Sequence, residues 1–392
     1  MDLVPLQLED APAHFFAALT QSAQGEPQFL GAGRGLTARQ ARLSCLGEAA
    51  ETMRARSADA VPVLTLDDIA KRPHIKPNAL WCFSQQQLRG RPHASETIDH
   101  DRWRMIRATT RHCRQWCAAE DASGAVMLAP ATNVLLSPDL PLTSSNGLAA
   151  GTSRQSATDA AILELVERDA VAVWWYGRIK RPAVPLEHLD LAGAGDLRRW
   201  LQTRRRRTWI LDVTHDLGIP VMVAVSSTKS GKGIAYAAAA RTDPHEAALS
   251  AVLELLQAEI SLQLAAARAR LTGAADGPAG RFWQWSEASS VKALDFLRPG
   301  RKLQATPVSP EPHETVRQSL QQLVRERAGL PVYTVYLGQQ DGKYHVVRAL
   351  APGLRPWQPR FAAGRLTSVP RQLNWTFVRA NPERVEQDVI LI

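Results

Sequence analysis

Three stretches of the chain repeat one arrangement of small and acidic residues. Ala41, Cys45, Glu48 and Glu51 stand at offsets 0, 4, 7 and 10, as do Ala157, Ala161, Glu164 and Glu167, and again Ala247, Ala251, Glu254 and Gln257. At about 100° per residue these offsets fall on one stripe of an α-helix. Each stripe opens with small side chains that let helices approach closely. It ends with two carboxylate or carboxamide groups, which could meet those of the other stripes at one point. Converging carboxylates repel one another unless a cation neutralises them, and hard oxygen ligands suit Mg²⁺. Glu48, Glu51, Glu164 and Glu167 are therefore the candidate metal ligands. A lone E-x-x-E pair is common on solvated helix faces. In "AAILELVERDAVAVWW" (160–175), however, Glu164 and Glu167 are flanked by Ile162, Leu163, Leu165 and Val166, with Trp174 and Trp175 beyond. Acids in such surroundings need a partner or a cation.

These stripes require long helices, and the sequence supplies them. Residues 1 to about 30 read as a short helix followed by a loop. "GAGRGLT" (31–37) reads as a glycine-rich turn opening onto the helix "ARQARLSCLGEAAETMRARS". "AVMLAPATNVLLSP" reads as strand, turn, strand, and "SSNGLAAG" (144–151) as a loop. "WILDVTHDLGIPVMVAVSS" predicts a hairpin of two buried strands around Asp216-Leu217-Gly218, and "GIAYAAAART" a further strand before a helix from about 243 to 271. "LTGAADGPAG" is a break. A helix near 314–328 and strands at 331–338 and 343–350 follow, and "ANPERVEQDVILI" ends in a short β-like run. No regular βαβ alternation appears, so the class is α+β, with mixed sheets packed against long helices. The division is an N-terminal extension (1–30), a catalytic domain (31–370) and a C-terminal tail (371–392).

Composition narrows the functional classes. With 392 residues, 45% hydrophobic and 22% charged, the chain can build a substantial core. The net charge is +9, part of it in "RRWLQTRRRR", where Arg198, Arg199 and Arg204 to Arg207 read as a solvated helix face. No aromatic-rich nucleic-acid signature accompanies it, so nucleic acid is not an expected partner. "HCRQWC" brings His112, Cys113 and Cys117 together, but no second ligand pair stands at zinc spacing. Cys45, Cys82, Cys113 and Cys117 read as half-buried helix thiols in a reducing, cytoplasmic compartment. The acidic, proline-interrupted N-terminus does not read as a signal peptide, and no uninterrupted apolar run reaches membrane-spanning length.

The ordered pieces "GRGLTARQARLSCLGEAAE", "SSNGLAAG", "ELVERDAVAVWW", "LDVTHDLGIPV", "HEAALSAVLELLQAE" and "VVRALAPGL" resemble the YcaO superfamily over roughly residues 30 to 370. No G-x-x-x-x-G-K-[ST] loop occurs. The resemblance instead implies an ATP site built from helices, in which Ser44, Glu48 and Glu51, then Glu164, Glu167 and Arg168, then Glu254 and Gln257 hold Mg²⁺ and nucleotide, with Arg34 and Asn146 as further nucleotide contacts. Arg168, as the phosphate contact, and Glu167 are the catalytic candidates; an i,i+4 ion pair with Glu164 is the other role open to Arg168. Four departures stand out. Arg34 replaces a usual lysine, Ser156 a usual Glu (with Asp159 nearly a turn further along) and Thr152 a usual Asn, and the chain ends "EQDVILI" in place of a Pro-x-Pro-x-Pro tail.

The activity so implied is ATP-dependent activation of a peptide backbone amide. Attack by a Cys, Ser or Thr side chain on a ribosomal precursor peptide then gives thiazoline or oxazoline, as in biosynthesis of thiazole/oxazole-modified microcins and other bacteriocins. The alternatives are thioamidation with an external sulfur donor, and a non-catalytic scaffold subunit. The implied partners are the precursor peptide, a separate leader-peptide-binding protein, a flavin dehydrogenase, and a homodimer or hetero-complex.

Overall fold

The computed structural model describes residues 1–392 except 23–24, 58, 91–97, 301–318 and 379–392. Among the described residues the strands form three sheets. The first is antiparallel, in the order β1 (Asp2–Leu6), β2 (His14–Gln21), β3 (Pro27–Gly35). The second, numbered along the chain, uses β4 (Leu64–Thr65), β5 (Gln115–Glu120), β6 (Val126–Pro130), β7 (Leu148–Gly151), β12 (Tyr333–Gln340) and β13 (Tyr344–Leu350), in the order β4-β5-β12-β13-β7 with β6 beside β5. The third contains β8 (Ala183–Val184), β9 (Arg207–Asp212), β10 (Val221–Ser227) and β11 (Ala235–Ala240), in the order β11-β10-β9-β8. Among the described residues, helices of eight residues or more are α1 (Ala38–Arg56), α2 (His100–Arg111), α3 (Arg154–Gly177), α4 (Gly195–Thr203), α5 (Pro244–Thr272), α6 (Gly277–Ala288), α7 (Leu320–Ala328) and α8 (Arg365–Gln372). This is the expected α+β mixture.

Three helices join the sheets. Helix α1 lies against β2 and β3 and reaches β7, β12 and β13. Helix α3 touches β7 and β13 on one side and β10 and β11 on the other, while α5 covers β10 and β11 and meets β3. Helix starts follow local chemistry: Thr37 and Ser153 cap α1 and α3 in capping boxes, and Asp243 caps α5 just before Pro244. The main core runs from α3 and α5 into β9–β11. By length and apolarity α5, with 29 residues, is sufficient to cross a bilayer, although Glu254 and Glu259 interrupt its apolar run, and 61% of its most apolar stretch is buried inside the protein.

Several local readings need correction. The described part of residues 1–30 holds β1, β2 and the start of β3, not a helix and loop. The run "HFFAALTQ" sends Phe15 into the main core and Phe16 and Ala18 into a cluster on α1, so both faces are buried and no alternation shows. "GAGRG" is not a turn but the end of β3. Gly31 and Gly33 face α1 so closely that a Cβ on Gly33 would stand 2.1 Å from Cys45 N. "LAAG" within "SSNGLAAG" is strand β7. After β6 the chain makes a 3₁₀ turn, Ala131–Asn133, where a second strand was expected.

The arginine run leaves helix α4 at Thr203 and is solvated only in part: Arg199, Arg205 and Arg207 are exposed, whereas Arg204 and Arg206 turn inward. Arg204 forks onto Glu259 at 2.8 and 3.0 Å, Arg206 lies 3.2 Å from the same carboxylate, and Glu259 is 3% exposed. All four cysteines are free and buried, but only Cys45 lies within a helix. The 314–318 part of the expected helix and the expected β-like run near the C-terminus lie outside the described residues.

Candidate functional site

The three stripes converge as their spacing demands. Ala41, Cys45, Ala157, Ala161, Ala247 and Ala251 are all 0% exposed. They pack on strands and not, as the spacing suggested, helix on helix: Ala41 and Cys45 meet Gly33 of β3, Ala157 meets Gly151 of β7, and α5 lies on β10 and β11, so the sheets bring the acidic ends of α1, α3 and α5 together. Arg34, projecting from β3, ties them: Nη2 donates to Glu254 Oε2 at 2.5 Å, and Nη1 donates to Gln257 Oε1 at 3.4 Å and lies 3.5 Å from Glu48 Oε1. Burial works against its charge, yet Glu254, Glu48 and Glu167 outweigh that cost and hold Arg34 more firmly protonated than a free guanidinium.

Each acid has one oxygen fixed by the fold. Glu48 accepts from Ala32 N at 2.9 Å, Glu51 from Ala150 N at 2.8 Å and Glu167 from Ala240 N at 3.1 Å. Glu164 accepts from Arg168 Nη2 at 3.2 Å, and Arg168 Nη1 stands 3.6 Å from Glu167 Oε1. Of the two sequence-derived roles for Arg168, the ion pair with Glu164 is present, and Nη1 is buried without a hydrogen bond. Ser44 sits half-buried on the stripe of Glu48 and Glu51. Asn146 belongs to the turn before β7, and its Oδ1 is buried without a partner.

Burial pushes these carboxyls up. Glu48, Glu51 and Glu164 are all raised, Glu51 well above the ordinary range because Glu48 and Glu164 add repulsion. Glu167 is pushed up to about 7 by burial, against the pull of Arg168. Mutual repulsion places these groups within one another's field.

One member of the site was missed by the sequence reading. Arg348 on β13 is fully buried; Nε donates to Val134 O at 3.1 Å, Nη1 to Asn146 O at 3.0 Å, and Nη2 has no partner. Burial lowers it to about 10, while Glu164 and Glu51 oppose that shift. A single arginine in "VVRAL" gives no periodic signal; only its place in a motif pointed at it. Conversely, Ser156 and Thr152 are exposed. Ser156 Oγ accepts from Ser153 N at 3.0 Å as part of the α3 cap, and Asp159 accepts from Gln155 at 3.0 Å. They belong to the helix start.

The donor set fits a divalent cation and a phosphate chain. Among the described residues no three ligands are already drawn together as a finished metal site. Yet five buried or half-buried carboxylates (Glu48, Glu51, Glu164, Glu167, Glu254) face three guanidiniums (Arg34, Arg168, Arg348), and two of those cations hold a buried N–H in reserve. Excess acid suits Mg²⁺, and unused guanidinium N–H groups suit phosphate oxygens.

Comparison with known proteins gives the family and the fold. The family model described as YcaO cyclodehydratase, ATP- and Mg²⁺-binding, matches residues 32–355. No curated protein matches the chain. A heterocyclase solved in complex with substrate and cofactor superimposes with a TM-score of 0.76 at 25% identity, over 96% of this chain and 52% of its own. The heterocyclase TruD gives 0.68 at 28% identity, over 85% and 48%. YcaO from Methanopyrus kandleri, bound with AMPPCP and Mg²⁺, gives 0.63 at 20% identity, over 93% and 89%, a likeness of fold. The chain spans about half the length of the two heterocyclases.

Proposed function

Because the chain belongs to the YcaO family, whose members bind ATP and Mg²⁺, we propose that it is an ATP-dependent cyclodehydratase that closes Cys, Ser or Thr residues of a ribosomal precursor peptide into thiazoline or oxazoline. The observation that carries this reading is the gathering of buried acids from three helices around guanidiniums with unused N–H groups. The likeness to heterocyclases at 25% and 28% identity supports the reaction class.

Glu48, Glu51, Glu164 and Glu167 would hold Mg²⁺, the oxygens not engaged by backbone N–H groups being the ones free to do so. ATP, when bound, supplies the phosphoryl group that makes the amide oxygen a leaving group. Arg168 and Arg348 would offer their spare N–H groups to phosphate oxygens, and Ser44 and Asn146 would be further nucleotide contacts. Arg34 acts from below: by joining Glu48, Glu254 and Gln257 it keeps β3, α1 and α5 in register. The donors are fixed before the reaction, so they stabilise developing charge without reorganising.

A recruiting protein that binds the precursor's leader is the proposed partner; the E. coli microcin synthetase McbBCD, which shares this fold, is a complex. Four free thiols fit a cytoplasmic setting. The proposed catalytic unit is residues 31–370, with an extension (1–30) whose Phe15 packs into the main core, and a tail (371–392).

The test is mass spectrometry of precursor peptide incubated with the chain, its recruiting partner, ATP and Mg²⁺, with phosphate release followed in parallel. Loss of one water per modified residue, matched by phosphate, is expected. Exchange of oxygen for sulfur would reassign the chain to thioamidation, and absence of phosphate release would leave a scaffold.

A further inference from the structure

Trp357 follows β13 in the segment leading to α8, and its indole ring covers the Arg168 guanidinium, with Cζ 3.2 Å from the ring centroid. Two carboxylates compete for the same guanidinium. Glu164 takes Nη2 in a hydrogen bond at 3.2 Å, and Glu167 waits 3.6 Å from Nη1 without one. In a buried setting Coulomb attraction would draw Nη1 down onto Glu167 and leave no N–H for a ligand. A π face attracts the cation along its own normal and so opposes that rotation. Nη1 accordingly remains buried and unpartnered.

The segment carrying Trp357 is fastened to the helix that carries Arg168. Before the ring, Arg355 N donates to Asp169 Oδ1 at 2.8 Å. At the ring, Tyr176 Oη donates to Trp357 O at 2.6 Å. Beyond it, Arg365 reaches Asp169 Oδ2 at 2.8 Å and forks onto Asp216 at 2.6 and 2.9 Å. Indole and guanidinium therefore move as one body.

We infer that Trp357 is a positioning residue for Arg168, holding the guanidinium plane so that Nη1 faces a phosphate of the bound nucleotide instead of closing on Glu167. This role rests on the nucleotide reading given above.

The test measures binding of Mg²⁺·ATP to the full chain by calorimetry, with melting curves as a check on folding. Trp357→Phe keeps a π face and should bind within about threefold of wild type; Trp357→Leu keeps apolar bulk without it and should bind about tenfold more weakly. Trp357→Met replaces the Leu variant if that protein melts early. Arg168→Gln combined with Trp357→Leu should bind no worse than Arg168→Gln alone, because the ring acts through the guanidinium. Equal affinities for the Phe and Leu variants, or additive losses in the double variant, would overturn the role while the nucleotide reading stands. A wild-type chain that binds no Mg²⁺·ATP would overturn both.

Discussion

Two acids set two residues apart on α3 meet opposite electrostatic fates. Glu167 and Asp169 are both buried, and burial opposes the charge of each. For Glu167 burial prevails over Arg168 and lifts the carboxyl to about 7. For Asp169 the Arg365 guanidinium and a hydrogen bond with His215 at 2.7 Å prevail, and hold the carboxyl below the ordinary range. Glu259, held by Arg204 and Arg206, has likewise found its cations within the fold. The protein completes one kind of buried acid internally and leaves the other kind short of positive charge. The shortage marks the ligand site; the completed pairs mark the frame around it.

The sharpest way to break that contrast is to remove one acid of each kind. Asp169→Ala strips Arg365 and His215 of their shared partner and should cost about 3–5 kcal/mol in urea unfolding, since a buried network is broken: Arg365 keeps Asp216 alone, and His215 and Arg355 N lose their acceptor. Replacing Glu164 and Glu167 together by glutamine should leave urea stability equal or higher, yet lower peptide-dependent phosphate release roughly 10²–10³-fold. If both changes cost the same stability, the distinction between frame and site fails.

Acidity offers a second lever, and its sign differs between the two groups. Glu167 titrates near 4.5 when unfolded and about 7 when folded, so between those values the native state binds more protons. Melting temperature in the absence of nucleotide should therefore fall as pH rises from about 4.5 to about 7, and Mg²⁺·ATP should remove that fall. Asp169 works in reverse: its contribution is complete above the ordinary aspartate range and disappears only as pH drops through its depressed folded value.

Smaller effects sharpen the boundary of the site. Arg34→Lys keeps the charge and loses the fork onto Glu254 and Gln257, which should slow phosphate release about tenfold. Ser156→Ala removes one arm of the α3 cap and should cost about 0.5 kcal/mol in thermal melts, with turnover unchanged. A large loss of turnover would return Ser156 to the site.

The acidic stripes were legible because a helix converts spacing in sequence directly into position on a face; Glu48, Glu51, Glu164, Glu167, Glu254 and Gln257 needed no tertiary knowledge. The hairpin β9–β10 was legible for a similar local reason, a turn at Asp216-Leu217-Gly218 between apolar runs. What stayed hidden depends on long-range contact. Arg348 stands alone in a strand, and its neighbours Val134 and Asn146 lie 214 and 202 residues away. The bond between Arg365 and Asp169 spans 196 residues. Strands β1 to β3 were misread because both faces of β2 are covered, which removes the alternation a sequence reader depends on.

The bare side of β3 also sets a measuring scale. Gly31 and Gly33 touch α1 where a methyl group has no room, whereas Ala32 and Arg34 alternate with them. Sliding the strand by one place would drive an alanine and an arginine into the helix backbone. Sliding it by two would carry Arg34 about 7 Å from Glu254. Translation along this seam is thus quantised, and an insertion or deletion between residues 31 and 35 should be tolerated far less than one at the exposed bend near Gly25.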